Sequence, residues 1–175
     1  SLLPPVRAGV SARDYVQLPT IPDDWKVLDI GPGRFPLRRA DVFVDRTEEF
    51  LVPMRNAGKK TIRESLEYGL PMIEDKSFDF VWCSHVLEHL NDPVACAATI
   101  SRIGKSGVLV VPSVYKDTLF NFEEVEHQWH IMPNAVKGGP PRFIRPNAEL
   151  IERLRDNLVQ KAADFLYRSG SDHDC

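Results

Sequence analysis

Short apolar runs, separated by glycine, proline and acidic residues, dominate the middle of the chain. Such runs are typical of strands that are covered on both faces of a parallel sheet. They predict five strands, at residues 26–30, 41–45, 61–64, 78–84 and 107–111. Residues 92–105 carry apolar side chains at helical spacing, with Asn91 or Asp92 as the N-cap and Pro93 in the first turn. A strand, a helix and a strand of this size form a right-handed parallel unit.

The predicted helix at 92–105 has one apolar stripe. Its members are Val94, Ala97, Ala98, Ile100 and Ile103. Further along, residues 127–131 and 142–145 flank a Gly-Gly-Pro-Pro segment and predict an antiparallel hairpin at the sheet edge. Residues 146–167 give the longest helical pattern, with apolar positions spaced to bury one side.

The chain before the first strand has a different character. It contains four prolines and one short helical pattern, at 11–17. We therefore expect a lead-in at 1–24, a single α/β domain at 25–168 and a polar tail at 169–175.

Composition is that of an ordinary soluble globular chain, with 175 residues, 43% hydrophobic and 27% charged. The 22 Lys+Arg and 25 Asp+Glu leave a net charge of −3, which argues against a nucleic-acid partner but leaves open a local patch at Arg34, Arg38 and Arg39. The three cysteines form no C-x-x-C pair, and no segment has the length of a membrane span. We expect a cytoplasmic protein with no membrane partner.

A glycine turn follows the first predicted strand. Asp29 lies near the end of that strand, and the turn itself is Gly31-Pro32-Gly33. Glycine permits a tight turn and lets a ligand approach the backbone. Open parallel sheets bind ligands at the carboxyl ends of their strands, where Asp45, closing the second strand, can accept hydrogen bonds from two ribose hydroxyls. These residues predict a nucleotide site; the alternative is an ordinary turn with Asp45 as a helix cap.

Several motifs occur in order along the chain. They are Val27-Leu-Asp-Ile-Gly-Pro-Gly33, the block from Leu70 to Val81, His85-Val-Leu-Glu-His-Leu-Asn-Asp-Pro93, Gly107-Val-Leu-Val-Val-Pro-Ser113 and His127-Gln-Trp129. Over residues 25–132 they resemble the class I S-adenosylmethionine-dependent methyltransferases, in particular the methyltransferase type 11 group. The resemblance implies a Rossmann-like, mostly parallel sheet and S-adenosylmethionine as the cofactor.

The resemblance also implies which positions contact the cofactor. The glycine turn and Asp29 would line its methionine part, Asp45 its ribose, and Glu64, Ser65 or Glu67 its adenine. The end of the fourth strand would pass beneath the sulfonium and face the methyl acceptor. The expected cofactor contacts are Asp29, Gly31, Pro32, Gly33, Asp45, Arg46, Glu64, Ser65, Cys83, Ser84 and His85.

Two features depart from the family's pattern. Phe35 and Pro36 stand where a third glycine is usual, and only eleven residues separate Gly33 from Asp45. Proline disfavours helix at the residue before it. We therefore expect a first crossover helix that is short or absent, and a more open cofactor pocket.

His85 is the candidate catalytic residue, because imidazole titrates near neutral pH and can take a proton from an acceptor hydroxyl or amine. The alternative is that His85 only shapes the pocket. The stretch from His85 to His89 also matches the H-x-x-E-H pattern of zinc peptidases, with Glu88 as base. That motif needs a long helix, whereas this one directly follows a strand, so we expect no metal. His127 and Trp129 are candidates for lining the acceptor site.

The sequence therefore predicts a methyltransferase that acts on a small molecule or biosynthetic intermediate. A non-catalytic relative, which binds the cofactor or a partner protein without turnover, is the main alternative. A zinc-dependent hydrolase using His85, Glu88 and His89 ranks lower. A nicotinamide-dependent oxidoreductase lacks the full G-x-G-x-x-G pattern here.

Overall fold

The chain separates into two compact units, Ser1–Val111 and Pro112–Cys175. The computed structural model describes residues 20–112, 127–132 and 141–145. No helix in these ranges is long and apolar enough to cross a membrane.

A five-stranded parallel sheet forms the centre of the first unit. Its strands are β1 (Val27–Ile30), β2 (Val42–Asp45), β3 (Lys60–Arg63), β4 (Phe78–Ser84) and β5 (Gly104–Val110). Their spatial order is β3-β2-β1-β4-β5, and every pairing is parallel. The strand order reverses between β1 and β4, which makes that boundary the switch point where open α/β sheets bind ligands. The predicted mostly parallel α/β sheet is confirmed.

The connection from β1 to β2 contains no helix, as predicted. Leu37 and Ala40 from this connection join the buried cluster on one face of the sheet instead. Half-buried Ile21 and Trp25 pack against the same cluster. Side chains of an irregular segment therefore cover part of the face on which a crossover helix would pack.

Helix α1 (Glu48–Asn56) connects β2 to β3 and is an element that the apolar pattern did not predict. Pro53 lies inside it, and proline both removes a helical hydrogen bond and obscures the helical pattern in the sequence. Two buried side chains three residues apart, Leu51 and Met54, hold the helix on the sheet. Gly58, at φ +76°, ends the segment that follows it.

Helix α2 (Pro93–Ile103) connects β4 to β5 close to its predicted position. Asp92 is the N-cap, and its Oδ1 accepts a hydrogen bond from the N–H of Ala95 at 2.9 Å. The predicted buried stripe was partly wrong, because Val94 and Ala98 are exposed. The buried residues are Pro93, Cys96, Ile100 and Ile103.

Cys96 explains the shift in the buried face of α2. A free thiol packs as a small apolar side chain, so Cys96 takes the core position that the pattern assigned to its alanine neighbours. Burial, together with the nearby charges of Glu67 and Asp92, raises the pKa of the Cys96 thiol to about 11. Cys96 is therefore a packing residue and not a nucleophile.

In the second unit, β6 (His130–Met132) and β7 (Arg142–Ile144) form an antiparallel pair. The predicted hairpin pairing is confirmed, whereas the two strands make a sheet of their own and not two further strands of the five-stranded sheet. The helices predicted at 11–17 and 146–167 lie outside the described residues, and the predicted domain limits stay predictions.

Candidate functional site

The strand register brings the predicted cofactor residues to the carboxyl edge of the sheet. Ile30 at the end of β1 pairs with Val44 on one side and with Cys83 on the other. The N–H of Gly31 donates to the carbonyl of Val44 at 2.8 Å, so the glycine turn begins at the end of β1, beside the end of β2. The glycine turn and the end of β4 are therefore neighbours in space, although about fifty residues separate them in sequence.

Backbone hydrogen bonds extend this edge in both directions. The N–H of Glu64 donates to the carbonyl of Asp45 at 3.0 Å, which places the residues after β3 beside the end of β2. The N–H of His85 donates to the carbonyl of Val110 at 2.8 Å, which places the residue after β4 beside the end of β5. One edge thus carries the predicted contacts for each part of the cofactor.

The side chain of Asp29, in β1, stabilises the connection that follows the glycine turn. Its side chain is fully buried, and Oδ2 accepts a hydrogen bond from the N–H of Leu37 at 2.7 Å. This bond crosses the base of the connection that follows the glycine turn. A buried hydrogen bond is costly to break, so Asp29 helps to fix the shape of this connection.

We expect Asp29→Ala to lower the free energy of unfolding by about 2 kcal/mol, because it leaves the buried N–H of Leu37 without its acceptor. Asp29→Asn keeps an acceptor oxygen of the same reach and should cost about 1 kcal/mol or less. Urea unfolding of the two variants measures the difference. Equal losses in both would show that Asp29 does not act through this bond.

The two glycines of the turn have different roles. Gly31, at φ +66°, sits where an added Cβ would clash with Cγ2 of Val86, so the space beside it is filled by protein. Gly33, at φ +50°, has no atom within 4 Å of the position that a Cβ would take. Of the two glycines, only Gly33 leaves its backbone accessible to a ligand. At Gly31 the missing side chain makes room for Val86, in the turn that follows β4.

The loop ends in side chains that face water. The N–H of Phe35 donates to the carbonyl of Pro32 at 3.0 Å and closes a tight turn around Gly33. Phe35 is half exposed and Arg34 is exposed, whereas Pro32 is buried. With Phe35 and Pro36 in place of the usual third glycine, the chain therefore forms a short turn that the hydrogen bond between Phe35 and Pro32 closes.

Asp45, the last residue of β2, makes the local contact that the sequence offered as the alternative to a ligand role. Its Oδ1 accepts a hydrogen bond from the N–H of Thr47 at 2.8 Å, just before α1. No donor in the described part of the chain bonds its Oδ2, and 9% of the residue is exposed. Asp45 thus anchors the start of the helix with one oxygen, and its other oxygen has no donor among the described residues. Arg46 beside it is exposed.

The predicted adenine-side residues are partly used in local structure. Oε1 of Glu64 accepts from the N–H of Ser65, and Ser65 caps the 3-10 turn Leu66–Tyr68 by accepting from the N–H of Glu67. Oε1 of Glu67 accepts from both the backbone N–H and the side-chain amide of Asn91, each at 2.7 Å. This link between the loops that follow β3 and β4 was not predicted, because nothing local in the sequence indicates it.

At the end of β4 only one predicted side chain reaches solvent. Cys83 and Ser84 are each 1% exposed, so they contribute to the edge through their backbone. His85 is the first residue beyond the strand, and 31% of its side chain is exposed. Its φ of +56° lies in the left-handed region, which costs free energy for any residue with a Cβ.

Glu88 lies behind His85. Its side chain is 0% exposed, and its Oε1 is 3.2 Å from Nδ1 of His85 and 3.9 Å from Nε2 of His89. Glu88 and His89 lie in the 3-10 turn Leu87–His89, whereas His85 precedes that turn. The two histidines therefore do not lie on one long helix, which is the context that the zinc-peptidase pattern requires.

Residues 28–111, a range that spans all five strands of the parallel sheet, match the family described as "Methyltransferase domain". This segment belongs to the methyltransferase domain family. The match confirms the family that the motifs resemble and, with it, S-adenosylmethionine as the cofactor of the methyltransferase domain.

Individual relatives cover parts of the chain. A tRNA U34 carboxymethyltransferase from Helicobacter pylori (strain Shi470) is 28% identical in an alignment of 156 positions that covers 81% of this chain and 59% of that protein. A solved SAM-dependent methyltransferase from Thermotoga maritima, described as a possible histamine N-methyltransferase, is 27% identical with a TM-score of 0.43, over 53% of this chain and 44% of that one. A SAM-dependent methyltransferase from Archaeoglobus fulgidus is 20% identical with a TM-score of 0.46, over 78% of each chain. The chain thus spans about three-fifths of the length of its curated relative.

Of the three arginines that could form a local basic patch, Arg39 is engaged in other contacts. Arg39 in the methyltransferase domain donates to Asp41 and to the carbonyls of Pro22, Asp23 and Trp25. It holds the segment before β1 against the β1–β2 connection. The arginines of this connection that stay exposed are Arg34 and Arg38.

Proposed function

We propose that the chain is an active S-adenosylmethionine-dependent methyltransferase whose acceptor is a small molecule or a biosynthetic intermediate. The proposal is carried by the convergence of Gly33, Asp45 and His85 at the switch-point edge of the methyltransferase domain. Gly33 offers open backbone, Asp45 an unengaged carboxylate oxygen, and His85 a partly exposed imidazole.

These three groups fit the parts of S-adenosylmethionine. The open backbone at Gly33 suits its methionine part, and Asp45 Oδ2 is a suitable acceptor for its ribose hydroxyls. The cofactor supplies a methyl group that is already activated by a positive sulfur. Because of that activation, the protein has to align the acceptor, exclude water and accept a proton. In this proposal His85 is the residue that accepts the proton.

We expect Asp45→Ala to weaken S-adenosylmethionine binding by about 10- to 100-fold, the effect of losing hydrogen bonds to a charged group. Isothermal titration calorimetry measures it directly. Asp45→Asn separates two effects, since its amide oxygen still accepts from the N–H of Thr47 while the charge is lost. Asp24→Ala, an exposed aspartate before β1, is the matched control and should bind normally.

The wild-type titration also decides between the main alternatives. Absence of S-adenosylmethionine binding would contradict the proposal. Binding without transfer of labelled methyl to a broad panel of hydroxyl, amine and carbon acceptors would favour the non-catalytic alternative. Transfer to a small-molecule acceptor supports the proposal as stated.

RNA is a second candidate acceptor. Two observations favour it: Arg34 and Arg38 are exposed on the connection that carries the glycine turn, and the relative from Helicobacter pylori is a tRNA-modifying enzyme by name. Exposed arginines are suitable contacts for phosphate groups. Bulk tRNA in the same labelled-methyl assay tests this candidate, since the label then partitions into the RNA fraction.

A further inference from the structure

Glu88 is an unusual residue for the interior of the methyltransferase domain. Its side chain is completely buried, and neither carboxylate oxygen has a well-aligned hydrogen bond in the described part of the chain. Removing a carboxylate from water costs several kcal/mol unless a positive or hydrogen-bonding partner compensates it. The structure therefore places a group with a strong demand for a cationic partner directly behind the acceptor edge.

Among the described residues, His85 has the shortest basic contact with this carboxylate. Its Nδ1 is 3.2 Å from Oε1 of Glu88, which is an ion-pair distance although the bond is not well aligned. Hydrogen bonds in catalytic sites are often poorly aligned before the substrate binds and tighten afterwards. His89 is farther away, at 3.9 Å from the same oxygen. His85 is therefore the preferred partner of the buried carboxylate.

The backbone at His85 supports the same assignment. The residue is held at φ +56° by the hydrogen bond from its N–H to the carbonyl of Val110. A left-handed conformation at a residue with a Cβ persists only where the surroundings impose it, and such strain is concentrated at functional sites. Here it ends β4 abruptly and turns the chain so that position 85 lies against position 88.

We infer that Glu88 is a positioning residue, which holds Nδ1 of His85 so that Nε2 serves as the base toward a protic acceptor, an alcohol or an amine. The inference rests on the proposed function. The acceptor's lone pair forms the new bond to the methyl carbon, and the electron pair of the broken carbon–sulfur bond stays on sulfur. The proton released by the acceptor passes to Nε2, and the resulting imidazolium is paired with the Glu88 carboxylate.

This arrangement restricts the substrate class. An acceptor that is already anionic, such as a thiolate, has no proton to give and gains nothing from the base. A hydroxyl must lose its proton as it is methylated, and an ammonium group must lose one beforehand to free its lone pair. In both cases a buried carboxylate stabilises the histidine that takes the proton. The pair formed by His85 and Glu88 therefore points to O- or N-methylation.

The tautomer of His85 is the decisive observable, and nitrogen NMR on the full chain with ¹⁵N-labelled histidine reports it. The spectra are recorded above the titration range of imidazole, with and without S-adenosylhomocysteine, and the His85 signals are assigned by their loss in His85→Asn. We expect Nδ1 to carry the proton in the wild type and to give a pyrrole-type signal, with a pyridine-type signal at Nε2. In Glu88→Gln the proton should shift toward Nε2, the preference of free histidine.

Glu49→Gln is the matched control, because it makes the same chemical change at an exposed position on α1. It should leave the His85 signals unchanged. Thermal unfolding checks that Glu88→Gln is folded, and the wild-type spectrum alone still decides if that variant does not fold. A wild-type His85 with its proton on Nε2 would overturn the inference.

Calorimetric titration with S-adenosylhomocysteine, read together with the tautomer, tests the proposed function separately from the role of Glu88. Binding together with the Nδ1-protonated tautomer supports both the proposed function and the role of Glu88. Binding together with the Nε2-protonated tautomer overturns the role of Glu88 and leaves the proposed function standing. Failure to bind overturns the proposed function and, with it, the inference that rests on it.

Discussion

Replacing Gly31 with alanine is expected to lower the free energy of unfolding by about 2–4 kcal/mol, the combined cost of backbone strain and overpacking. The strain arises because Gly31 has a φ of +66°, which alanine adopts poorly. The overpacking arises because the new methyl group would clash with Cγ2 of Val86, a stiff, β-branched side chain. Urea unfolding measures the loss.

Two companion variants identify the cause. Val86→Ala removes the clashing atom, so the double variant Gly31→Ala/Val86→Ala should recover part of the loss, whereas the backbone strain remains. Gly33→Ala has a similar φ but open space around it, so it should cost only about 1 kcal/mol of stability. Its larger effect should be on S-adenosylmethionine affinity. Simple additivity of the two changes in the double variant would refute the predicted contact.

Replacing His85 with alanine is expected to lower kcat by about 10²–10⁴-fold, the usual contribution of a general base. The affinity for S-adenosylmethionine should change far less than kcat, because His85 is one of several expected cofactor contacts, whereas it is the residue proposed to accept the acceptor's proton. Turnover is measured with the acceptor found in the labelled-methyl panel. Full turnover in His85→Ala would remove the assignment of the base.

His85→Gly provides an independent stability readout. Glycine tolerates φ +56°, so this variant should be about 1 kcal/mol more stable than His85→Ala while being as inactive. Urea unfolding of the pair requires no acceptor. Equal stabilities would show that the backbone at this position stores no strain.

The sheet was predictable because its central strands are buried on both faces. Residues 78–84 form a continuous apolar run apart from Asp79, and the structure has β4 at the same residues. The strand β5 begins at Gly104, three residues before its predicted start. The prediction missed this part because Lys105 and Ser106 are not apolar and are exposed. The spacing and hydrophobicity of side chains along the sequence indicate which of them are buried. An exposed edge strand is therefore harder to predict than a central strand.

The positions of the candidate site residues could be predicted from the sequence, but the tertiary contacts between them could not. The motif order placed the glycine turn, Asp45 and His85 at one edge, and the strand register brings them together there. The contact between Gly31 and Val86 and the link between Glu67 and Asn91 join distant parts of the chain. Such contacts depend on tertiary packing, which no local propensity encodes. The helix α1 was missed for a related reason, since tertiary packing stabilises it despite Pro53.

The helix-free connection between β1 and β2 changes how the cofactor's carboxylate can be neutralised. Where a helix follows the first strand, its N-terminus presents about half a positive elementary charge, fixed in place by the backbone. In this chain the exposed cations of the connection are Arg34 and Arg38, and we expect them to supply the corresponding positive charge. Charges on exposed, flexible side chains are screened by dissolved ions much more than buried ones. We therefore expect the affinity of this protein for its cofactor to fall as the ionic strength rises.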